Sequence, residues 1–460
     1  MIISQAAQMS RKRGKIVLVG VVGLNIRRSE FYEKELTFQV SCSYGPGRYD
    51  DNYENKGIDY PLPFVRWTEQ RNFETILQSI ASGTLSVKDM ISEEVDLVDY
   101  GKIYNDIGTH RSIASIINYP GDNALADLKN TVLLKDNKSP GAKGVLGIIG
   151  AGNFTKMTML PALKGSGAFF KIIASQRGLS GTMLAKKYGF SYSTTDYTEI
   201  LSDSDVDLVM ITTKHDLHAP LVVEALNAGK NVFVEKPLAL NEEELSAIKE
   251  AYDRSGKSLT VGFNRRFSPH MEKIRSLVGN SQMNVIATMN AGFIPPGVWV
   301  HDMKTGGGRI IGEACHYIDL IAFLTGSKVK SICMNAMGIN PEENTDNASI
   351  LLKMENGSTG VINYFSNGAK SYPKERVEVF TQERTIIMDN FRKTVAYGVK
   401  GFSKFKTSLD KGHKNQFNRL INMVKTGGDA LIPFESIVNT TLASFAAIRS
   451  LKENRWVEVD

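Results

Sequence analysis

A chain of 460 residues is too long for one ordinary core, so two or three domains are expected. Hydrophobic residues make up 42% and charged residues 23%, which excludes a disordered chain, and no apolar run approaches the roughly eighteen residues of a membrane span. The net charge of +6 is spread along the sequence; its densest run, Arg11, Lys12, Arg13 and Lys15, has no interleaved aromatics, so no nucleic-acid partner is expected. Cys42, Cys315 and Cys333 form neither a CxxC pair nor a disulfide framework. A reducing cytoplasm is expected, without a signal peptide and without a metal site.

Residues 6–13 read as the end of a helix and 14–20, GKIVLVG, as a buried strand. Gly20 and Gly23 frame VGVVG, which lacks the GxG core of a phosphate turn and reads as a structural turn. A strand over 36–44, a polar loop over 45–61, helices over 68–82 and 97–107 and a strand over 112–118 follow. The order GKIVLVG, FYEKELTFQVSCSYGPGRYD, WTEQRNFETIL resembles the C-terminal part of a medium-chain alcohol dehydrogenase. That resemblance implies a partial, Rossmann-like remnant over 1–125. It is expected to have no activity of its own, because the zinc ligands and the first GxGxxG unit are missing from it. The alternative is a chain that begins at an internal Met of a longer fused protein. Residues 126–143, within a stretch rich in Gly, Asp, Asn, Lys, Ser and Pro, are the linker candidate.

At residues 145–155, VLGIIGAGNFT, an apolar strand breaks into Gly150, Ala151 and Gly152 and runs into a helical pattern. Its glycines let the backbone approach a pyrophosphate, and the helix start favours an anion. The third small position holds Thr155 instead of Gly or Ala. The next strand, 169–174, ends in Ser175, Gln176 and Arg177 with no carboxylate to hold ribose hydroxyls. With Arg177 available for a 2′-phosphate, NADP is slightly favoured over NAD. A continuous apolar strand over 206–212 ends in Thr213, Lys214 and His215, where open α/β sheets bind ligands. The strand 231–234 ends in Glu235, Lys236 and Pro237, and Pro237 turns the chain off the sheet.

GIIGAGN, TTKHDLHAPLVVEAL, NVFVEKPLAL, VGFNRRF and GGGRIIGEACHYIDL, in that order, resemble the Gfo/Idh/MocA oxidoreductases, and bi-domain members fused to an alcohol-dehydrogenase-like part in particular. The resemblance implies an α/β architecture. A dinucleotide-binding Rossmann domain over 144–264 is followed by an α+β domain over 265–460 with an open, mainly antiparallel sheet. It implies that Gly150, Gly152, Asn153 and Phe154 cradle the pyrophosphate, that Ser175 and Arg177 flank the adenosine ribose, and that Thr212, Thr213 and His215 border the cofactor. Glu235, Lys236 and Pro237 form the EKP motif, whose Lys236 is expected to reach the nicotinamide ribose and the substrate hydroxyl. Sugar-oxidising members place an Asp four residues before a His; here His316 fits, but Gly312 stands at the acid position. His316 is therefore taken as the proton acceptor and Glu313 as its orienting group, while Cys315 reads as buried filler.

Strands over 284–292, 329–337, 348–354, 357–364, 376–381 and 385–388 build the second sheet, and the resemblance implies that one face carries substrate and the other a homo-oligomer contact. His301, Asp302, Arg309, Tyr364, Lys374 and Arg376 are its candidate substrate-side groups. Helices over 415–424 and 436–450 are expected to return to the dinucleotide domain. The expected activity is oxidation or reduction of a hydroxyl or ketone on a small-molecule sugar or sugar derivative, with NAD or NADP. A non-catalytic NAD(P)-binding regulator and an NAD-dependent glycoside hydrolase are the alternatives.

Overall fold

A computed structural model describes residues 2–104, 112–119, 130–136, 141 and 143–459. The chain divides into Met1–Leu128 and Lys129–Asp460.

In the first unit, β1 (Lys15–Leu18) pairs in parallel with β2 (Thr37–Val40), and β3 (Ile91–Asp96) in parallel with β4 (Ala114–Asn118). Helix Glu69–Ala81 falls where the apolar spacing puts it, whereas the N-terminal helix is Ile2–Met9 and ends four residues before the expected 13. The expected helix over 97–107 is shorter: a 3-10 turn, Leu97–Asp99, leads into Gly101–Tyr104, and the rest lies outside the described residues. β3 went unread because its alternating ISEEVD carries three carboxylates.

The second unit holds two sheets. The first has the order β11-β10-β9-β6-β7-β8-β5. Its strands are β5 (Thr131–Leu133), β6 (Val145–Ile149), β7 (Phe169–Ala174), β8 (Tyr192–Thr194), β9 (Leu208–Ile211), β10 (Asn231–Val234) and β11 (Leu259–Val261). All pairs are parallel except β5 on β8. The linker expected over 126–143 is corrected in part: Thr131–Leu133 completes the sheet edge, while most of the remainder lies outside the described residues. Every residue of β6 and β9 is buried, because helices cover both faces of a parallel sheet. Alternate side chains feed two cores: Leu146, Ile148, Leu208 and Met210 point to one, Val145, Ile149, Val209 and Ile211 to the other. Strand order reverses at β6 and β9, which opens a crevice beyond their carboxyl ends.

The second sheet has the order β19-β18-β17-β16-β12-β15-β14-β13-β20. Its strands are β12 (Asn284–Asn290), β13 (Val329–Ala336), β14 (Asn347–Met354), β15 (Thr359–Phe365), β16 (Glu375–Thr381), β17 (Arg384–Asp389), β18 (Lys393–Tyr397), β19 (Lys404–Lys406) and β20 (Val457–Glu458). Its pairs are antiparallel save β12 with β15, so the mainly antiparallel reading holds. One core runs without a break from the first sheet to the second. Helix His413–Thr426 returns to the first sheet as expected, with Phe417 edge-on to Phe233 at 5.3 Å.

Candidate functional site

β6 delivers the chain into a turn that only glycine fits. Gly150 has φ +114°, and a Cβ there would lie 2.7 Å from the Thr212 hydroxyl oxygen. At Gly152 a Cβ would meet nothing within 4 Å, so that backbone is bare to an approaching ligand. Thr155, the departure from the glycine pattern, is fully buried, with its hydroxyl 3.0 Å from the Gly150 carbonyl oxygen and 2.7 Å from the Thr212 hydroxyl. It ties the turn to the end of β9, a task that Gly or Ala in its place cannot perform. Asn153 and Phe154 open the following helix, whose second part, Thr155–Met159, is π-helical.

At the end of β7, Ser175 is buried and its hydroxyl oxygen accepts the Gly181 N–H at 3.1 Å, while Gln176 and Arg177 are exposed. At the end of β9, the His215 Nδ1–H donates to the Gly306 carbonyl at 2.7 Å and the ring packs edge-on against Trp299 at 4.9 Å. Burial, with the Lys236 charge behind it, pushes His215 down to about 3, so the ring is neutral. Thr213 lies beside it, half-buried.

Beyond β10, Lys236 and Pro237 are joined by a cis peptide bond. The Pro237 carbonyl accepts from Nδ1 of His218, a buried ring held at about 4 chiefly by desolvation, at 2.7 Å. Lys236 Nζ donates to the Gly312 carbonyl at 2.8 Å. At 312, the position where the resemblance implies an acid, this chain has Gly and offers its backbone oxygen to Lys236. A Cβ on Gly312 would come within 3.1 Å of the His215 ring, so a larger residue there requires that ring to move. Glu235 lies over Gly262, where a Cβ would meet its carboxylate at 2.5 Å, and burial raises it to about 7.

These strand ends meet helix 310–325 and the second sheet at a pocket of about 130 Å³, lined by Lys236, Arg265, Met289, Glu313, His316, Tyr317 and Lys374. All three residues expected to be catalytic, Lys236, Glu313 and His316, converge here. A wider hollow on the first unit, lined by Ile26, Phe31 and Leu36 among others, is open and gathers no comparable set of groups. His316 is 6% exposed, its Nδ1 has no hydrogen-bond partner, and burial holds it well below the ordinary histidine value.

The role expected of Glu313 needs correction. Its carboxylate accepts from the Tyr364 hydroxyl and, at 3.3 Å, from Arg309 Nη2, and no hydrogen bond joins it to His316 among the described residues. Ile310–Ala314 is π-helical, so three-residue spacing does not align side chains as in an α-helix. Burial opposes ionisation of Glu313, but Lys236, Arg309 and the Tyr364 hydroxyl prevail and hold it at about 2.

Of the other candidates, Lys374 lines the pocket, and Tyr364 and Arg309 support Glu313. His301 faces the Ile294 carbonyl at 3.2 Å, Asp302 accepts from the Thr305 N–H, and Arg376 pairs with Glu378 across the far face of β16. None of these three lines the pocket. Cys315 is buried and its thiol is pushed up to about 12, in keeping with a packing role.

Several groups escaped the sequence reading. Glu375 is fully buried and binds Arg265 Nε at 2.8 Å, the Tyr317 hydroxyl at 2.7 Å and the Lys411 ammonium. Lys411 and His413 arrive from the far end of the chain through Gly412, whose φ of +89° and close approach to the Asn264 and Phe267 backbone only glycine permits. The signal was KGH just before a helix.

The comparisons with known proteins agree with this geometry. Residues 145–263 match the family described as "Oxidoreductase family, NAD-binding Rossmann fold", and residues 278–387 match the "GFO/IDH/MocA C-terminal domain". The uncharacterized oxidoreductase YrbE of Bacillus subtilis is 31% identical over 263 residues, 54% of this chain and 75% of that protein. The chain belongs to the GFO/IDH/MocA family of oxidoreductases. A myo-inositol 2-dehydrogenase of Thermotoga maritima is 26% identical over 60% of this chain and 87% of its own. Among solved structures, a probable dehydrogenase from Thermotoga maritima superposes with TM-score 0.58 at 25% identity, covering 68% of this chain and 99% of that one. Levoglucosan dehydrogenase in complex with NADH and levoglucosan shares the fold, with TM-score 0.61, 21% identity and the same coverage. No helix among the described residues of this GFO/IDH/MocA chain is long and apolar enough to cross a membrane.

Proposed function

We propose that this chain is a dehydrogenase that interconverts a hydroxyl and a ketone on a sugar or cyclitol derivative, using a nicotinamide dinucleotide. The observation that carries the reading is the single pocket shared by Lys236 and His316 at the carboxyl edge of the first sheet. The turn fits a dinucleotide: Gly152 is bare, Gly150 allows the close turn, and the first-turn N–H groups of Asn153 and Phe154 have no partner inside the helix. Relatives named as inositol 2-dehydrogenases and a levoglucosan dehydrogenase support the substrate class. Arg177, exposed and without a neighbouring carboxylate, supports NADP as the preferred cofactor.

When bound, the nicotinamide supplies the hydride acceptor. His316 is neutral at pH 7 because burial disfavours the imidazolium, so it is ready to take the hydroxyl proton. Lys236, oriented by the Gly312 carbonyl, brings positive charge to the oxygen that gains negative character. The carbinol proton would pass to His316, and the nicotinamide of a dinucleotide held over the Gly150–Phe154 turn would supply the hydride acceptor that ketone formation requires. Glu313, pinned by Arg309 and Tyr364, stays ionised and steadies the Lys236 charge.

The test is reduced-cofactor formation with a sugar and cyclitol panel, NAD and NADP in parallel. Lys236→Ala should lower turnover by about 10³-fold, by analogy with the loss of one oxyanion donor, while cofactor binding followed by calorimetry stays near wild type. Undiminished turnover removes Lys236 from the mechanism.

A further inference from the structure

The walls of the pocket carry more cations than their carboxylates neutralise. Glu313 is the carboxylate among its lining residues; its Oε2 accepts from both Arg309 and Tyr364, and Arg309 is shared with Asp346 at 3.5 Å. Glu375, just behind, is taken by Arg265, Lys411 and Tyr317. Among the described residues the Lys236 ammonium hydrogen-bonds to the Gly312 carbonyl alone. The Lys374 ammonium, at the exposed rim, has no hydrogen bond or ion pair among the described residues, although Glu375 is the next residue in the chain. Burial lowers its pKa, with Lys411 and Arg265 adding to the effect and Glu313 and Glu375 opposing it. His215, His316 and His413 are neutral and do nothing to change the balance.

A partly enclosed cation without an anion is a standing cost, and a site lined by one sign of charge concentrates ligands of the other. Lys236 is committed to the reacting oxygen in the reading above. That leaves Lys374 for a substituent elsewhere on the ligand.

Resting on that dehydrogenase reading, we propose that the substrate is an acidic sugar, and that Lys374 binds its carboxylate and sets the preference for acid over neutral sugar. A phosphate would bring a second negative charge to the same ammonium, so a sugar phosphate is a separate arm of the test. Lys374 acts as a specificity residue, since it touches a part of the ligand that does not react.

The experiment uses the full chain with saturating cofactor and matched pairs: glucose with glucuronate, galactose with galacturonate, and glucose 6-phosphate as the third arm. The acid of each pair should be favoured in kcat/KM by about tenfold, the order expected for one charged hydrogen bond. Lys374→Gln should raise KM for the acid by about tenfold and leave kcat and the neutral sugar within twofold or so, and Lys374→Arg should restore most of the loss. Equal use of acid and neutral sugar, a preference for the phosphate, or an equal effect of Lys374→Gln on both members of a pair overturns the proposal. Calorimetric titration of the same sugars into protein loaded with reduced cofactor separates this from failure of the dehydrogenase reading. If no sugar is oxidised yet the acid binds more tightly and only in the presence of Lys374, the charge assignment stands and the reaction assignment falls. If binding too is indifferent to the carboxylate, the proposal is wrong.

Discussion

The two units use the same kinds of residue to opposite ends. Among the described residues of the first unit, only Ile3, Ala7 and Ile103 are buried hydrophobics, whereas the second unit fills two cores around two sheets. Ion pairs follow the same division. Arg13 meets Glu35 at 2.9 Å in the open, while Arg265 meets Glu375 at 2.8 Å with the carboxylate fully buried. Two-stranded sheets and a 13-residue helix are marginal by themselves. Polar contact in the first unit is therefore exchanged with water at little gain or loss, and in the second it is held where water cannot replace it.

Acid should break that contrast most strongly. His215 is held at about 3, His218 and His413 at about 4, and His316 well below its ordinary value, in each case first by burial. In the unfolded chain these rings take protons near pH 6.5, so below that pH the unfolded state binds more protons than the folded one. Stability is complete above pH 6.5 and is lost as pH falls toward 4 and 3. At about 1.4 kcal/mol per pKa unit and ring, the four together should remove several kcal/mol from the second unit between pH 7 and 5. Glu235, raised to about 7, works the other way and withdraws stability as pH rises from 4.5 to 7. Urea midpoints across this range check the expectation; a second-unit midpoint that is flat from pH 7 to 5 contradicts it.

What could be read in the sequence divides along similar lines. The runs of β6 and β9, the Gly150 turn, EKP and His316 are local patterns, and each stands where its pattern puts it because strand ends carry the site. What could not be read depends on chain meeting chain. Glu313 was assigned to His316 by spacing, but Arg309, Tyr364 and a π-helical turn take it elsewhere. Glu375 stands one residue before the expected strand 376–381, between two flagged cations, and only the pleat of the observed strand shows it facing inward while Arg376 faces out. Lys411 and His413 lie more than 140 residues from Arg265, and no local signal joins them. The short β18, β19 and β20 are fixed by their neighbours, not by their own patterns.

Glu375→Ala should give the next largest effect. It leaves Arg265 and Lys411 without their carboxylate and the Tyr317 hydroxyl without its acceptor, at a cost of about 3–5 kcal/mol for a broken buried pair. The matching change on the first unit, Glu35→Ala, removes only the exposed contact with Arg13 and should not move a denaturation midpoint measurably. A Glu375→Ala midpoint close to wild type means that solvent reaches the network, and the two classes of ion pair are then less different than their geometry suggests.

The smallest expected effect sharpens the comparison most, because it asks whether the first unit is as bare in solution as it is alone. Along helix Glu69–Ala81, Phe73, Ile76, Leu77 and Ile80 form one apolar stripe, and Phe73 is 62% exposed. Phe417, at 0% exposure between the returning helix and the first sheet, shows the opposite case: Phe417→Ala should cost about 3–5 kcal/mol through the cavity it leaves. Phe73→Ala removes a ring that already faces water, so stability should change by no more than about 0.5 kcal/mol. A loss above about 1 kcal/mol, beyond that usual surface range, requires the stripe to be covered in solution. The first unit would then possess a core after all, completed by whatever surface lies against Phe73.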